Sequence, residues 1–191
     1  MRTFIAVLIL IFNLQSLTKA DDISDFQIEG MSIGDSLLDY ISKSEIIKMK
    51  RTSQNKLIKY ARINYRKGLE IYDAVQIFWH IEDKKYIIAA LGGIIEYNND
   101  IESCKKKMTL IVSEINDQIN FKSSKSTTQK SSYDKDGKVH MTTNYLDNGD
   151  LINIQCYEFS EPYKKKYNYV DNLKVMVVPK VFEDHHSKAN K

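Results

Sequence analysis

Ile101, Cys104, Met108, Ile111, Ile115 and Ile119 recur at steps of three and four. That spacing lines up one stripe along an amphipathic helix. A stripe of this length needs an apolar surface to cover, and the flanking runs supply one made of strands. Upstream, Tyr60–Tyr65 reads as a strand. Residues 72–81 and 86–97 are rich in β-formers and flank Glu82-Asp83-Lys84-Lys85, which predicts a hairpin. Downstream, Asp136-Gly137 and Asn148-Gly149 are tight-turn pairs. Between them Val139, Met141, Thr143 and Tyr145 alternate, residues 151–159 continue as the next strand, and residues 173–178 form a last strand ended by Pro179. The fold class is therefore α+β: antiparallel hairpins forming a sheet, with one long helix packed on it.

Smaller signals refine this reading. Ser32 with Asp35, and Ser42 with Glu45, each fit a capping-box start. They predict two short N-terminal helices, followed by a polar linker over residues 48–56. Asn99 with Glu102 predicts the start of the long helix. Gly92-Gly93 inside a strand run suggests a bulge or the close approach of another backbone. Residues 121–132 read as a loop or a weak edge strand. Residues 163–169, rich in Tyr and Lys, read as a solvated loop, and residues 185–191 as a frayed tail.

The first 20 residues read as a signal peptide. Arg2 gives a positive start, residues 4–12 are an unbroken apolar run, and Thr18-Lys19-Ala20 offers small residues for cleavage after Ala20. The run is too short to span a bilayer as a helix, which needs about 20 residues. Residues 21–184 then form a single α+β domain, with no membrane span after cleavage. Cleavage removes Arg2 and Lys19 and no acid, so the formal charge drops from +3 to +1. A near-neutral domain lacks the electrostatic footprint of a nucleic-acid binder. With 42% hydrophobic residues, the chain has the material for a core and is not of the disordered class.

Cys104 and Cys156 are the two cysteines. In an oxidising compartment an even pair is most simply one disulfide. The competing readings are a redox pair, though such pairs are usually closely spaced, or two free thiols. Cys156 shares its strand parity with Ile152 and Ile154, and Cys104 lies on the helical stripe, so both sulfurs should meet between helix and sheet.

The segment I-E-G-M-S-I-G-D-S-L at residues 28–37 resembles the opening of small bacterial exported proteins without known activity. G-G-I-I-E-Y, I-E-S-C at the helix start, D-K-D-G-K, I-Q-C-Y and D-N-L-K-V fit the same type. The resemblance implies a periplasmic or secreted α+β protein with a helix-to-strand disulfide, and it implies no activity. The G-M-S-I-G motif alone is also similar to small envelope-assembly proteins of the β-barrel machinery.

Chemistry-bearing sets are sparse. Four histidines are present: His80, His140, His185 and His186. His80 and His140 lie on strands, where either could act as a base, and no G-x-S-x-G elbow accompanies them. Glu183, Asp184, His185 and His186 are potential metal ligands placed in the tail. Asp134 to Gly137 resembles the start of a calcium loop but lacks the later acids, and reads as a turn. No catalytic, cofactor or metal set is assigned. Tyr163, Tyr167 and Tyr169 beside Lys164, Lys165 and Lys166 have the chemistry to stack on sugars or meet an acidic polymer. The expectation is a non-enzymatic envelope protein that binds an envelope protein or a cell-wall polymer, through this stretch or through a sheet edge such as the strand ending at Pro179. The alternatives are a small exported hydrolase using His80 or His140, and a carrier of a small apolar ligand.

Overall fold

The computed structural model describes residues 23–189. The signal-peptide reading, with cleavage after Ala20, lies outside the described residues. Strands β1 (Arg51–Thr52), β2 (Tyr60–Tyr65), β3 (Ala74–His80) and β4 (Ala90–Tyr97) precede helix α2 (Ile101–Gln118). Strands β5 (Ser123–Lys130), β6 (Lys138–Tyr145), β7 (Leu151–Glu158) and β8 (Asp171–Val178) follow it. Helix α1 (Lys43–Met49) precedes β1, α3 (Glu161–Tyr167) lies between β7 and β8, and α4 (Lys180–Ala189) follows β8. The sheet is antiparallel throughout, in the order β1-β2-β3-β4-β8-β7-β6-β5. Helix α2 carries the chain from the middle of the sheet to its far edge, and β5 to β8 wind back to β4.

This topology overturns one expectation. The strand ending at Pro179 is β8, paired on both sides by β4 and β7, so it offers no edge. The long open edge is β5, whose residues are nearly all exposed. Residues 48–56 also differ from the expected linker: Lys48 and Met49 close α1, and Arg51 and Thr52 pair with β2.

One face of the sheet is covered by α2. Ile111 and Ile115 pack with Leu91, Ile152, Ile154, Leu173, Val175 and Val177 in the main core. Cys104 is bonded to Cys156 in the same layer, with Cα atoms 6.0 Å apart. The helix starts one residue later than the capping pair suggested. Asn99 is left-handed (φ 61°), and the Asp100 side chain accepts the Ser103 N–H at 3.0 Å. At α1 half of the expected box forms: the Ser42 hydroxyl accepts the Glu45 N–H, and Glu45 Oε2 accepts from that hydroxyl at 3.0 Å in place of the Ser42 N–H. The first predicted helix shrinks to a 3-10 turn at Leu37–Asp39, begun by Ser36.

The N-terminal segment seals the rest of this face. Phe26, Ile28, Met31, Leu37, Ile41 and Ile46 join the same core. Ile28 and Met31 exchange backbone hydrogen bonds around a tight turn, with Glu29 (φ 53°) and Gly30 (φ 75°) at its corner. The turn aims the Glu29 carboxylate at the β2–β3 loop. There it accepts the N–H groups of Glu70 (3.0 Å), Ile71 (2.8 Å) and Tyr72 (2.8 Å).

Gly92 and Gly93 make no bulge, because the β3–β4 and β4–β8 registers run through them unbroken. The close approach at Gly92 comes from the Met176 side chain and from the Val175 backbone carbonyl, and at Gly93 from the Tyr72 ring.

Candidate functional site

The second face of the sheet is only partly covered. Helix α4 seats Phe182 among Ala90, Leu151, Met176 and Val178, and Tyr60 and Phe78 close around it. The expected frayed tail is therefore helical from His185 to Ala189. His185 Nε2 accepts the Lys59 N–H at 3.0 Å, and the His186 ring lies 4.4 Å from that of Phe182. Burial among these rings, with His185 adjacent, pulls the His186 pKa down.

Beyond α4 this face is open. The outward residues of β2, in order, are Tyr60, Arg62 and Asn64, Arg66 follows just past its end, and hollows follow that line. The first holds about 610 Å³ beside Arg51, Tyr60 and Phe78. The second, about 150 Å³, is floored by Arg62, Asn64, Gln76, Asn172 and Lys174. The third, about 490 Å³, lies beside Arg66, Glu96 and Asn168. Arg62 and Tyr133 belong to the first two, and Asn64, Ile94, Tyr169 and Asn172 to the last two. Together they form a groove open at both ends.

The wall opposite β2 is aromatic. Tyr157, Phe159 and Tyr163 stack in sequence, with ring centroids 5.8 and 5.3 Å apart and planes within 16° and 10° of parallel. Tyr169 leans on Phe159 and Tyr163, at 5.3 and 5.6 Å. The Tyr/Lys stretch that supplies this wall is a helix, not a loop. Pro162 is favoured in a first helical turn, and Asn168 ends the helix in the left-handed conformation (φ 53°).

Two carboxylates fix the wall. Buried Asp171 accepts the Phe159 N–H at 2.9 Å and the Lys164 ammonium at 3.0 Å, which ties α3 down. Burial works against the Lys164 charge, but Asp171 and Glu161 hold its pKa above the ordinary value. Asp134 accepts the N–H (2.6 Å) and hydroxyl (3.0 Å) of Ser160, which brings the β5–β6 loop and its Tyr133 alongside. Burial opposes the Asp134 charge too, and the Ser160 bonds win, lowering its pKa. Asp134 to Gly137 thus serves as a structural turn.

The floor is a polar chain across strands. Lys174 donates to Gln76 Oε1 at 2.5 Å, and Gln76 donates to Asn64 Oδ1 at 3.0 Å. Among the described residues no carboxylate lies within ion-pair distance of Lys174 or Arg62. Burial, with Arg62 adding to it, pulls the Lys174 pKa down to about 8.

Of the residues singled out in the sequence, Tyr163 and Tyr169 line the groove. Tyr167 packs on the outer side of Tyr163 at 4.6 Å, under the Lys166 ammonium. The floor residues Arg62, Asn64, Gln76 and Lys174 were not anticipated. Their signals were polar positions alternating with Ala61 and Ile63 on β2, and a lone lysine inside the apolar run of β8.

The histidines separate. His80 ends β3, its ring edge-on to Tyr60 at 5.8 Å. His140 lies on the helix-covered face, where Nδ1 meets the Thr128 hydroxyl at 3.0 Å and Nε2 meets Glu158 Oε2 at 3.2 Å. A hollow of about 470 Å³, lined also by Lys105, Met108 and Val112, adjoins it. Thr128 and His140 are direct cross-strand partners, as are Ser126 and Thr142, whose hydroxyls meet at 2.9 Å. The register alone therefore produces the contact. In the tail, Asp184 pairs with Lys180, and Glu183 accepts from the Ser187 hydroxyl. Among the described residues no three His, Cys, Asp or Glu side chains converge as metal ligands.

No protein-family model, curated protein or solved structure matches this chain. Among the described residues no helix is long and apolar enough to cross a membrane. The disulfide is compatible with an oxidising compartment.

Proposed function

We propose that this protein is an exported, non-enzymatic binding protein of the bacterial envelope, periplasmic or secreted, which holds a cell-wall polymer or an envelope protein in the groove along β2. The observation that carries the reading is the open groove itself. It has a polar floor, in which buried Gln76 links Lys174 to Asn64, and an aromatic wall held by Asp171 and Asp134. Side chains fixed by their own hydrogen bonds suit binding, because little further ordering is needed when a ligand arrives. The sequence features read as a signal peptide support export, and the likeness of the opening segment to small bacterial exported proteins belongs to the same proposal.

Cross-linking in living cells tests it. A photoreactive residue at Tyr169 should capture one dominant envelope component, and the same residue at Leu110, exposed on the back of α2, should not. No capture from Tyr169, with the protein abundant, would remove the groove from the argument.

One observation favours a second reading. The contacts among Thr128, His140 and Glu158 place a hydroxyl, an imidazole and a carboxylate in line, as an activated nucleophile requires. A hydrolase working there would cleave chromogenic esters in the wild type and lose the activity in both Thr128→Ala and His140→Ala. Activity surviving either change, or absent throughout, counts against it. An apolar-ligand carrier draws less support, since Ile111, Ile115, Ile154 and Leu173 fill the layer between α2 and the sheet.

A further inference from the structure

We propose that the occupant of the groove is an acidic polysaccharide, with its anionic groups held by Arg62 and Lys174 and its sugar rings laid against Tyr169. This inference rests on the binding reading above and names the ligand class for it.

The argument begins with the unbalanced charge. A half-buried ammonium is costly unless it is paired or hydrogen-bonded to a charge. Lys174 has one amide oxygen, Gln76 Oε1, and Arg62 stands beside it on the same floor. At the end of the same groove Arg66 does meet a carboxylate, Glu96 at 2.8 Å, whereas among the described residues Arg62 and Lys174 have none within ion-pair distance. An anion from outside would give exposed Arg62 and half-buried Lys174 a shared partner. The lowered Lys174 pKa agrees with this geometry.

The neighbours select a sugar. Asn64, Gln76 and Asn172 present amide donors and acceptors suited to hydroxyl groups. Tyr163 is packed between Phe159 and Tyr167, but half-exposed Tyr169 offers a flat apolar face with a polar tip, which suits a ring that is apolar on one side. The middle hollow, about 150 Å³, takes one ring-sized group and falls below the roughly 300–1,000 Å³ that encloses a whole small ligand. The larger hollows on either side let a chain pass in and out. A peptide is less suited. Ladder hydrogen bonds occupy both sides of β3, β4 and β8, so an extended strand has nothing to pair with on the floor those strands make. A nucleic acid carries one phosphate per about 1.7 Å of duplex, far more charge than two cations meet.

Titration of the intact, disulfide-bonded protein with defined probes tests the inference. Hexagalacturonate should bind at least tenfold more tightly than neutral maltohexaose, and added salt should weaken it. The Arg62→Gln/Lys174→Met double variant should lose at least tenfold in hexagalacturonate affinity, and Tyr169→Ala should weaken both sugars. Folding of each variant is checked by thermal melting. Equal binding of the neutral sugar, an unchanged double variant, preference for oligoglutamate or single-stranded DNA, or inorganic phosphate competing as well as the hexamer would each overturn the inference. If no oligosaccharide binds while Tyr169 still cross-links an envelope protein, the ligand class fails and the binding reading stands. If neither occurs, both fail.

Discussion

The Tyr72 ring lies flat against Gly93 of the neighbouring strand, so close that a Cβ on Gly93 would come within 2.6 Å of Tyr72 Cζ. Tyr72 is buried in the main core, and its N–H is held by Glu29, so the ring has little room to retreat. Gly93→Ala should therefore destabilise by about 1–3 kcal/mol, the usual cost of overpacking. Urea unfolding would measure it as a lower midpoint at unchanged slope.

Glu29 offers a second stability test. Its carboxylate answers three successive N–H groups of the β2–β3 loop. Glu29→Gln keeps the shape but removes the charge and one acceptor oxygen. The loss should be about 1–3 kcal/mol, with hydrogen exchange accelerated at Ile71 and Tyr72 before the core opens.

The bond from Cys104 to Cys156 spans 52 positions. The chain-entropy model credits such a loop with about 4 kcal/mol, and real bridges often give less. Reduction should lower the melting temperature and add about 2 Da to the mass. Alkylation of native protein without reductant should label no cysteine. Label appearing there would contradict the bridge.

Lys174 makes stability and binding oppose each other. It lines one hollow with Arg62, Gln76, Tyr157, Tyr163 and Tyr169, and burial, with Arg62 nearby, lowers its pKa to about 8. Between pH 8 and the ordinary lysine value near 10.4, the unfolded chain holds the proton and the folded one releases it, so stability rises with pH there. Below pH 8 the folded state carries the charged lysine at a cost. Lys174→Met should thus stabilise the protein at pH 7 by about 1–2 kcal/mol, the solvent-screened share of that cost. Anion affinity of the wild type should fall as pH rises through 8, and the variant should show no such step.

Acid should act on α4. Burial beside Phe182, with His185 adjacent, holds the His186 pKa below its ordinary value. The lowered His186 pKa means that the unfolded state takes up its proton first. The contribution is whole above pH 6.5 and is lost as pH falls below it. Melting temperatures between pH 5 and 8 should drop on the acid side, and less steeply in His186→Phe.

Much of the fold is legible because its signals are local. The α2 stripe, the two turn pairs and the alternation on β6 each lie within one segment. The pairing of Cys104 with Cys156 needed only parity and periodicity. What escaped depends on long-range placement. The position of β8 in the middle of the sheet is set by its pairing with β4, which lies on the far side of α2 in sequence. Residues 163–169 read as a loop, though α3 runs through Tyr167, because the cue at Pro162 is weak beside three lysines and three tyrosines. The tail reads as frayed, yet α4 forms by burying Phe182, and nothing near Phe182 in sequence shows the cluster that receives it. The groove was half visible: Tyr163 and Tyr169 stood out, but Gln76 and Lys174 become floor only once four strands lie side by side.

The bridge between α2 and β7 also sets how this molecule would respond to force. A chain pulled from its two ends carries tension only along the backbone outside such a bridge. The residues between Cys104 and Cys156 form a closed ring, so tension bypasses most of α2, all of β5 and β6, and the start of β7. At about 3.5 Å per residue, roughly 180 Å of contour is withheld from extension. Under stretching, the oxidised protein would yield a shorter trace than the reduced one, and the ring would let go last.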